Sequence, residues 1–539
     1  MNYVSLHFLI FISITIALYF ILPLGKRQWL VLLAASYYFY LSAGARYIGY
    51  ILFTTIIVYV SALLIGRIQE SAKRERKSHP EWDRAQKKAA KAAAKKKSRA
   101  VLISALIAGF GVLAVLKYGS FTISLLNAFT SRFGMQLPQL RFILPLGISF
   151  YTFQAMGYLI DCYNGTVKPE RNFLKIALFV SFFPQILQGP ISFYGQLAEQ
   201  FYAPHRFDFK RFKYGAELCL YGYFIKLVLA DRAAVMINAF TKAGYEGFSG
   251  TTILFVVLLY SLQLYADFAG GIDISRGIAQ ILGIDMPINF RQPYFATSIN
   301  DYWRRWHITL GAWLKKYIFY PVAVTKPFLA MPAAIRKTRF GKTQLGDHMA
   351  KVFPATVATM IVFIAVGAWH GAGMKYIAYG IYNGGIIMIS MLFEPVFKGW
   401  MKALHIREQS FGMHVFRIVR TYLLALVGYV PDLAQSCRGW VAMMVRMFTD
   451  NNAARAKDEI WGTLGFQTFD LWVIFFVFAV MFIVGVLREA RPKESLRARI
   501  DAKPFPLECV LVAACLVTVL VFGIYGPGFS PTQFLYVQY

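Results

Sequence analysis

The chain has 539 residues, of which 57% are hydrophobic and 16% are charged, whereas soluble domains carry about 25% charged residues. It contains 57 Lys and Arg against 27 Asp and Glu, which gives a formal net charge of +30. So small a charged fraction excludes a soluble globular protein, and 48 Phe and 32 Tyr are not typical of a nucleic-acid-binding protein of similar charge. The composition therefore predicts a polytopic membrane protein with its basic residues on one side.

Apolar segments recur along the chain, and many approach the roughly 20 residues that a helix needs to cross the bilayer. They lie at 4–24, 29–42, 47–66, 100–117, 141–160, 174–190, 214–240, 251–282, 352–370, 374–394, 413–431, 469–487 and 506–524. The first lacks the basic start and the cleavage site of a signal peptide, so we expect it to be retained. Several others contain Gly or Pro, and irregular backbone at membrane depth is tolerated only beside protein or a water-filled cavity. We therefore predict an all-α fold of roughly 10–14 membrane helices, some broken or re-entrant.

The distribution of basic residues predicts the orientation of the chain. Segment 67–99 contains thirteen Lys and Arg but only four Asp and Glu, so the positive-inside rule predicts that it is cytoplasmic. Segments 326–351 and 488–504 are also basic, and the same rule then predicts both chain termini outside. The Ala/Lys run 85–99 favours a solvated or headgroup-contacting helix, because no interleaved aromatic side chains would stack on nucleic-acid bases.

Ionisable side chains are costly at membrane depth, so each one within an apolar segment is a candidate functional residue. His370 stands in the sequence Trp369-His370-Gly371 at the end of a long apolar run. An imidazole titrates near pH 6.5, and its neutral form can take a proton from a hydroxyl group. The alternative is a histidine at a helix end whose ring is satisfied by a backbone carbonyl group.

The segment 301–316 combines His307 with three tryptophans and four basic residues. These residues are Trp303, Trp306, Trp313, Arg304, Arg305, Lys315 and Lys316. Helical spacing would collect the tryptophans roughly along one side, which predicts an amphipathic helix in a membrane interface or along a funnel. The alternative is an aromatic-belt helix whose basic side chains reach the headgroups, so His307 by itself is only a weak indication of function.

Two carboxylates and an arginine lie in the apolar segment 251–282. Asp273 and Arg276 are three residues apart, close enough to pair on a helix. Asp267 lies six residues before Asp273, across two glycines, which argues against a carboxylate dyad. We therefore predict that these charges form structural ion pairs.

Two further features concern the end of one apolar segment and a break in another. Lys226 and the pair Asp231-Arg232 follow an apolar stretch, which indicates anchors at the lipid headgroups. The segment 183–191 is apolar but contains Pro and Gly, which predicts a re-entrant turn beside a cavity.

Two motifs, WRRWH at 303–307 and WHG at 369–371, occur in runs that resemble the membrane-bound O-acyltransferase family. Two earlier runs resemble the same family: LPLGISFYTFQAMGYLIDCYNG and FFPQILQGPI. The bacterial branch of the family is the most similar, and it includes proteins of alginate O-acetylation and of D-alanyl transfer to teichoic acid. The resemblance implies a ring of membrane helices around a central funnel or tunnel. It also implies O-acyl transfer from a cytoplasmic thioester to a hydroxyl group on the outer side.

The resemblance assigns roles to residues of this chain. His370 is implied to be catalytic and His307 to be a second functional histidine, whereas Asn383 is given no role. The residues implied to support the tunnel or the motifs are Trp369, Gly371, Trp303, Arg304, Arg305, Trp306, Asp267 and Asp273. The implied domains are N-terminal membrane helices (1–66), a basic cytoplasmic loop or helix (67–99), the catalytic core (100–394) and C-terminal membrane helices (395–539).

The resemblance further implies a multi-pass protein of the bacterial inner membrane. Its expected partners are membrane lipid, a thioester donor (acetyl-CoA or an acyl carrier protein), an extracellular SGNH-type acyltransferase and a polysaccharide acceptor, with no nucleic acid, no permanently bound cofactor and no metal. The length and the FLYVQY ending favour acetyl transfer to a polysaccharide over D-alanyl transfer to teichoic acid. A glycan or lipid transporter and a non-catalytic scaffold are the alternatives from other classes.

Overall fold

The computed structural model of the protein describes residues 3–139 and 144–525, and these residues form helices and loops with no strand among them. The predicted all-α class is therefore confirmed. Positions 141–143 of one predicted span, and the C-terminal tail that we predict to be outside, are not among the described residues. The helices form two compact units, Met1–Cys219 with Ser275–Pro287 (unit 1) and Leu220–Ile274 with Ile288–Tyr539 (unit 2). The predicted division into four functional domains stays a prediction.

Helix length and composition confirm a multi-pass membrane protein. Within the described ranges, seven helices are long and apolar enough to cross a membrane, or up to nine if each of two bent pairs is one span. The seven are Ala45–Ser78, Arg84–Phe133, Gly250–Ile281, Gln344–His370, Phe411–Leu433, Thr468–Ala490 and Phe505–Phe522. This number is below the predicted 10–14, because other apolar segments form helices of only 10–17 residues, such as Leu6–Ile21 and Phe173–Ile186.

Unit 1 is built around a helix that is buried along nearly its whole length, including its polar side chains Gln154 and Asp161. Its helices are α1 (Leu6–Ile21), α2 (Trp29–Ala43), α3 (Ile48–Ser78), α4 (Arg84–Thr130), the buried α5 (Ile148–Asn164), α6 (Phe173–Ser181), α7 (Phe183–Gln188), α8 (Tyr194–Tyr202) and most of α9 (Phe209–Tyr223). The basic segment 67–99 forms the end of α3 and the start of α4. Asp83 begins α4 with a capping box shared with Gln86.

The helix is interrupted at 183–191, as its Pro and Gly indicate, and the segment is buried within unit 1. The predicted re-entrant turn beside a cavity stays a prediction. Helix α6 ends before Phe182, and α7 ends at Gln188. The backbone groups freed by the break find partners elsewhere in unit 1. Phe183 N donates to Ser36 Oγ of α2 at 3.1 Å, and the hydroxyl of Tyr3, just before α1, donates to Pro184 O at 3.1 Å. Such partners are what make irregular backbone tolerable at membrane depth.

Unit 2 carries both candidate histidines and most of the long helices. Its helices are α10 (Asp231–Ala243), most of α11 (Gly250–Ile281), α12 (Ile299–Arg305), α13 (Ile308–Leu314), α14 (Tyr320–Ala323), α15 (Lys326–Arg336), α16 (Gln344–His370), α17 (Met374–Leu392), α18 (Glu394–Ala403), α19 (Phe411–Leu433), α20 (Cys437–Thr449), α21 (Ala453–Asp458), α22 (Thr468–Ala490), α23 (Leu496–Asp501) and α24 (Phe505–Phe522). Short π-helical turns occur at Phe224–Ala230, Lys315–Phe319 and Glu459–Thr463.

Helices α16 and α17 form a tight hairpin that ends at the WHG motif. A Cβ atom on Gly367 would lie 2.2 Å from the carbonyl oxygen of Tyr376, and one on Gly380 would lie 2.3 Å from that of Phe363. The two backbones can approach this closely only because glycines occupy the contact points, as in other membrane helix pairs. The hairpin therefore fixes where His370, the last residue of α16, is presented.

Candidate functional site

The WRRWH motif lies at a break between two helices, so the predicted single amphipathic helix over 301–316 is wrong. Helix α12 ends at Arg305 and α13 begins at Ile308. His307 between them has φ of +46°, a left-handed conformation in which non-glycine residues are uncommon but histidine is enriched. The break therefore stores a modest backbone strain at a candidate site, which is where such strain tends to occur.

Asn289 stabilises this break from a preceding loop. Its carbonyl oxygen accepts from Ile308 N at 2.9 Å, and its side-chain Oδ1 accepts from Thr309 N at 3.1 Å and from Thr309 Oγ1 at 2.8 Å. These bonds satisfy N–H groups of the first turn of α13, which would otherwise lack partners. Asn289 thus performs the role of a helix cap although it lies 18 residues before His307 in the sequence.

The same Asn289 oxygen also orients the imidazole of His307, which is only 2% exposed. His307 Nδ1 lies 3.2 Å from Asn289 Oδ1, and the edge of the Phe268 ring packs against the imidazole at 4.8 Å between ring centroids. Because Oδ1 is an acceptor, Nδ1 must carry the proton that it donates. In the neutral ring the lone pair is then on Nε2.

Trp369 brings the two predicted histidines together. The centroid of its indole lies 5.6 Å from that of His307 and 5.1 Å from that of His370. The two imidazoles are close enough to interact electrostatically, and the Tyr379 ring contacts His370 at 5.2 Å. A Cβ atom on Gly371 would lie 2.3 Å from the Tyr376 ring, so this position of the WHG motif has no room for a side chain.

A cavity of about 420 Å³ opens beside His307 within unit 2. It follows one face of α16 from Ala355 to Val366, a length of about 16 Å at 1.5 Å per residue. Since His307 contacts Trp369, just beyond Val366, the imidazole lies at that end of the cavity. Most of the lining is apolar, and the basic side chains on it are exposed: Arg304 and Lys315. His370 is not among the lining residues.

The other residues of the WRRWH motif have separate surroundings. Trp303 lines the cavity and donates from Nε1 to Asn383 Oδ1 at 3.2 Å, which ties α12 to α17. Trp306 is buried and stacks on Tyr302 with ring centroids 5.7 Å apart.

The two arginines of the motif differ in their surroundings. Arg305 pairs with two carboxylates, those of Asp301 at 3.0 Å and Glu489 at 2.6 Å. Of the two arginines, Arg304 is therefore the one that faces the cavity.

Asp267 belongs to a buried ion cluster, and the prediction that Lys226 and Asp231 anchor at the headgroups is wrong. Lys226 is 1% exposed and pairs with Asp231 at 2.7 Å and with Asp267. The structural ion pairing predicted for Asp267 is confirmed, but its partner is 41 residues earlier in the chain. Burial is affordable here because opposite charges and hydrogen bonds compensate the desolvation of each group.

Arg232 and Asp273 also have surroundings that the sequence did not indicate. Arg232 is largely buried and pairs with Asp470, and it donates to the carbonyl oxygen of Phe522 at 2.7 Å. It therefore links three helices rather than anchoring at the headgroups. Asp273 lies within electrostatic range of Tyr221 and Arg488, and its predicted pairing with Arg276 stays a prediction.

Among residues 3–139 and 144–525, no group of three His, Cys, Asp or Glu side chains could hold a metal ion.

Replacing Asn289 by alanine is expected to destabilise the protein by about 1–3 kcal/mol, because buried Thr309 and His307 groups lose their acceptor. We also expect the rate of the O-acyl transfer that the sequence resemblance implies to fall about ten-fold, the equivalent of about 1.4 kcal/mol of lost imidazole orientation. The thermal unfolding midpoint in detergent and the transfer rate measure the two effects. Asn289→Asp keeps an acceptor oxygen and is the matched control. Equal rates for wild type and Asn289→Ala would contradict an orienting role.

The comparisons with known proteins agree with the motifs. The profile of the MBOAT family, membrane-bound O-acyltransferases, matches residues 167–331, a region that includes His307 but ends before His370. The probable alginate O-acetylase of Azotobacter vinelandii is 28% identical over 443 residues, which cover 82% of this chain and 76% of the relative. The peptidoglycan O-acetyltransferase of Helicobacter pylori is 31% identical over 393 residues, 67% of this chain and 64% of the relative.

A third relative transfers D-alanyl rather than acetyl groups, according to its name. The teichoic acid D-alanyltransferase of Bacillus subtilis is 26% identical over 289 residues, 53% of this chain and 67% of the relative. The relatives named here are all acyltransferases, which favours an enzyme over the transporter and the scaffold. Together with the family match over 167–331 and the paired histidines, they identify this chain as an O-acyltransferase similar to the membrane-bound O-acyltransferase family.

Proposed function

We propose that this protein transfers an acetyl group from a cytoplasmic thioester to a hydroxyl group of a cell-surface polysaccharide. The observation that carries the proposal is the pair of buried imidazoles, His307 and His370, which both contact Trp369. His307 lines an elongated apolar cavity, and His370 lies next to it through Trp369. The relatives named as an alginate O-acetylase and a peptidoglycan O-acetyltransferase support acetyl as the acyl group and a polysaccharide as the acceptor.

His370 is the general base of the proposed reaction. It takes the proton of the acceptor hydroxyl as the oxygen attacks the thioester carbonyl carbon, and it returns that proton to the thiolate that leaves when the C–S bond breaks. Base catalysis of this kind contributes about 10²–10⁴-fold to a rate. His307 donates from Nδ1 to Asn289, so its Nε2 accepts a hydrogen bond in the neutral ring. This favours His307 as a group that orients the acceptor, through a neighbouring hydroxyl, over a donor to the oxyanion.

The cavity beside His307 is the proposed site of the thioester arm. Its apolar wall suits a flexible chain, and the exposed cations Arg304 and Lys315 suit the phosphate groups of acetyl-CoA or of the phosphopantetheine on an acyl carrier protein. The end of the cavity remote from His307 lies towards the start of α16, next to the basic segment 326–351. The positive-inside rule predicts this segment to be cytoplasmic, which supports entry of the donor from that side.

The remaining parts of the proposal concern location and partners. We place the protein in the bacterial inner membrane with both termini outside, and we assign it an extracellular SGNH-type partner that receives or uses the acyl group. Both assignments rest on the family resemblance and on the basic segments 67–99, 326–351 and 488–504. D-alanyl transfer to teichoic acid is the second candidate, supported by a relative that aligns with a smaller share of this chain.

The experiment that tests the proposal measures the acyl groups on the cell-surface glycans of the host. Mild alkali releases ester-bound acyl groups, and mass spectrometry then distinguishes acetate from D-alanine. Deleting the gene should remove ester-bound acetate, and restoring the wild-type chain should return it. Unchanged acetate together with lost D-alanine would overturn acetyl transfer in favour of the second candidate, and unchanged levels of both would overturn a surface acceptor.

A further inference from the structure

A second cavity in unit 2 is separate from the one beside His307. Its volume is about 510 Å³, and it lies between α11, α19, α22 and the loop before α12. None of its lining residues also lines the cavity beside His307. The walls are apolar and aromatic, but one charged side chain faces into it, that of Arg488 in the last turn of α22.

Arg488 lacks a hydrogen-bond acceptor and an ion-pair partner within the described part of the chain. It is half-buried, and the contact that it makes is with the face of the Tyr221 ring, 5.4 Å from the guanidinium carbon to the ring centroid. Asp273 acts on it electrostatically, and the neighbouring Glu489 pairs with Arg305. A guanidinium group has five N–H donors, so leaving it without an acceptor in an apolar cavity is costly. An anionic ligand would remove that cost.

The shape of the cavity indicates what such a ligand carries. Its α22 wall runs from Phe478 to Arg488, about 15 Å along the helix, which is half of the roughly 30 Å hydrocarbon core. A wall of this length matches one lipid chain in a single leaflet. The cavity also opens sideways, since lining residues on three helices are exposed: Leu258, Val415, Val419, Phe478 and Phe482.

We propose that this second cavity binds an anionic phospholipid, with one acyl chain in the apolar part and the phosphate group on Arg488. The chain enters from the surrounding bilayer through the exposed side. The positive-inside rule predicts the segment 488–504 to be cytoplasmic, so the lipid belongs to the leaflet in which anionic headgroups attract basic residues. The site goes beyond acyl transfer and does not depend on it, because it requires only that the protein lies in a membrane.

The test uses the full chain, purified in neutral detergent and mixed with dioleoyl phosphatidylglycerol, dioleoyl phosphatidylcholine or inorganic phosphate. Native mass spectrometry measures lipid retention, and the thermal unfolding midpoint measures stabilisation. We expect phosphatidylglycerol to be retained about ten-fold better than phosphatidylcholine. Arg488→Gln should remove this preference, because it keeps the length of the side chain without its charge.

Two further variants make the result decisive. Arg491→Gln removes an exposed charge from the same helix end and is the matched control, which should retain the wild-type preference. Val419→Trp fills the cavity at an exposed wall without touching Arg488, and it should lower retention of both lipids. An equal effect of Arg488→Gln and Arg491→Gln, or unchanged lipid retention in Val419→Trp, would overturn the proposal. Stabilisation by inorganic phosphate alone would do so as well, since it would indicate an anion site without a lipid chain.

Discussion

Replacing His370 by alanine is expected to lower kcat of acyl transfer by about 10²–10⁴-fold while the protein still folds and inserts. The size follows from the usual contribution of a general base. The fold should survive because the ring lies at the end of α16, where its packing partners are Trp369 and Tyr379. The α16–α17 hairpin is held by close glycine contacts elsewhere. The measurement is the initial rate of acyl release from a labelled thioester donor by purified protein with a glycan acceptor.

Two controls separate the chemistry at His370 from damage to the fold. The thermal unfolding midpoint of His370→Ala should stay close to that of wild type. His348→Ala removes a histidine from the same helix, one that donates from Nε2 to the carbonyl oxygen of Met391 at 2.9 Å rather than lying near Trp369. This variant should keep most of the transfer rate. A His370→Ala protein with the wild-type rate would remove His370 from the mechanism, whatever the rest of the site does.

The histidine pair shows how far the sequence could predict the candidate site. Both residues were identified because an imidazole within apolar sequence is unusual and because WRRWH and WHG occur together. Their contact through Trp369 follows from the α16–α17 hairpin and the break at His307. That break was not predictable, since the residue that caps it is Asn289, and a lone asparagine in a loop carries no signal for a helix 19 residues later. The helical spacing of residues 301–316 therefore predicts one continuous helix, where the structure has two.

Hydropathy predicted the fold class well but not the number of long spans. Continuous apolar runs such as those in α22 and α24 became spanning helices, because backbone groups in lipid must be satisfied within the helix. Runs broken by Pro or Gly became short helices, as in α6 and α7, whose loose backbone groups need partners from other helices. The Pro and Gly residues in the local sequence indicate a break at 183–191. The residues that pair with the broken segment are distant in the sequence, so its burial was not predictable.

The cluster of Lys226, Asp231 and Asp267 is where local sequence misled most. A basic residue near the end of an apolar run is typically an anchor at the headgroups. Here the chain continues through a π-helical turn, Phe224–Ala230, and Lys226 points to Asp267 on α11. The pairing spans 41 residues, and a single sequence offers no pattern that connects two positions so far apart.

Replacing Lys226 by methionine is therefore expected to destabilise the protein by about 3–5 kcal/mol, the cost of leaving buried charges without their partner. Methionine is similar in length to lysine, so packing is largely kept while Asp231 and Asp267 lose the cation between them. The measurement is the free energy of unfolding, or the thermal midpoint in detergent. Lys242→Met, an exposed position on the neighbouring helix α10, is the matched control and should change stability by less than about 0.5 kcal/mol.

The charge itself, rather than the lysine side chain, should account for this loss. Replacing all three residues with apolar ones of similar volume, as Lys226→Met with Asp231→Leu and Asp267→Leu, should recover most of the stability, because well-packed hydrophobic residues often match a buried ion cluster. Asp267 precedes Phe268, whose ring edge packs on His307. A shift of α11 in the single variant should therefore also lower the transfer rate, and the triple variant should restore it. If the triple variant is as unstable as Lys226→Met, the cluster is not held by its charges, and the link from Lys226 to His307 fails with it.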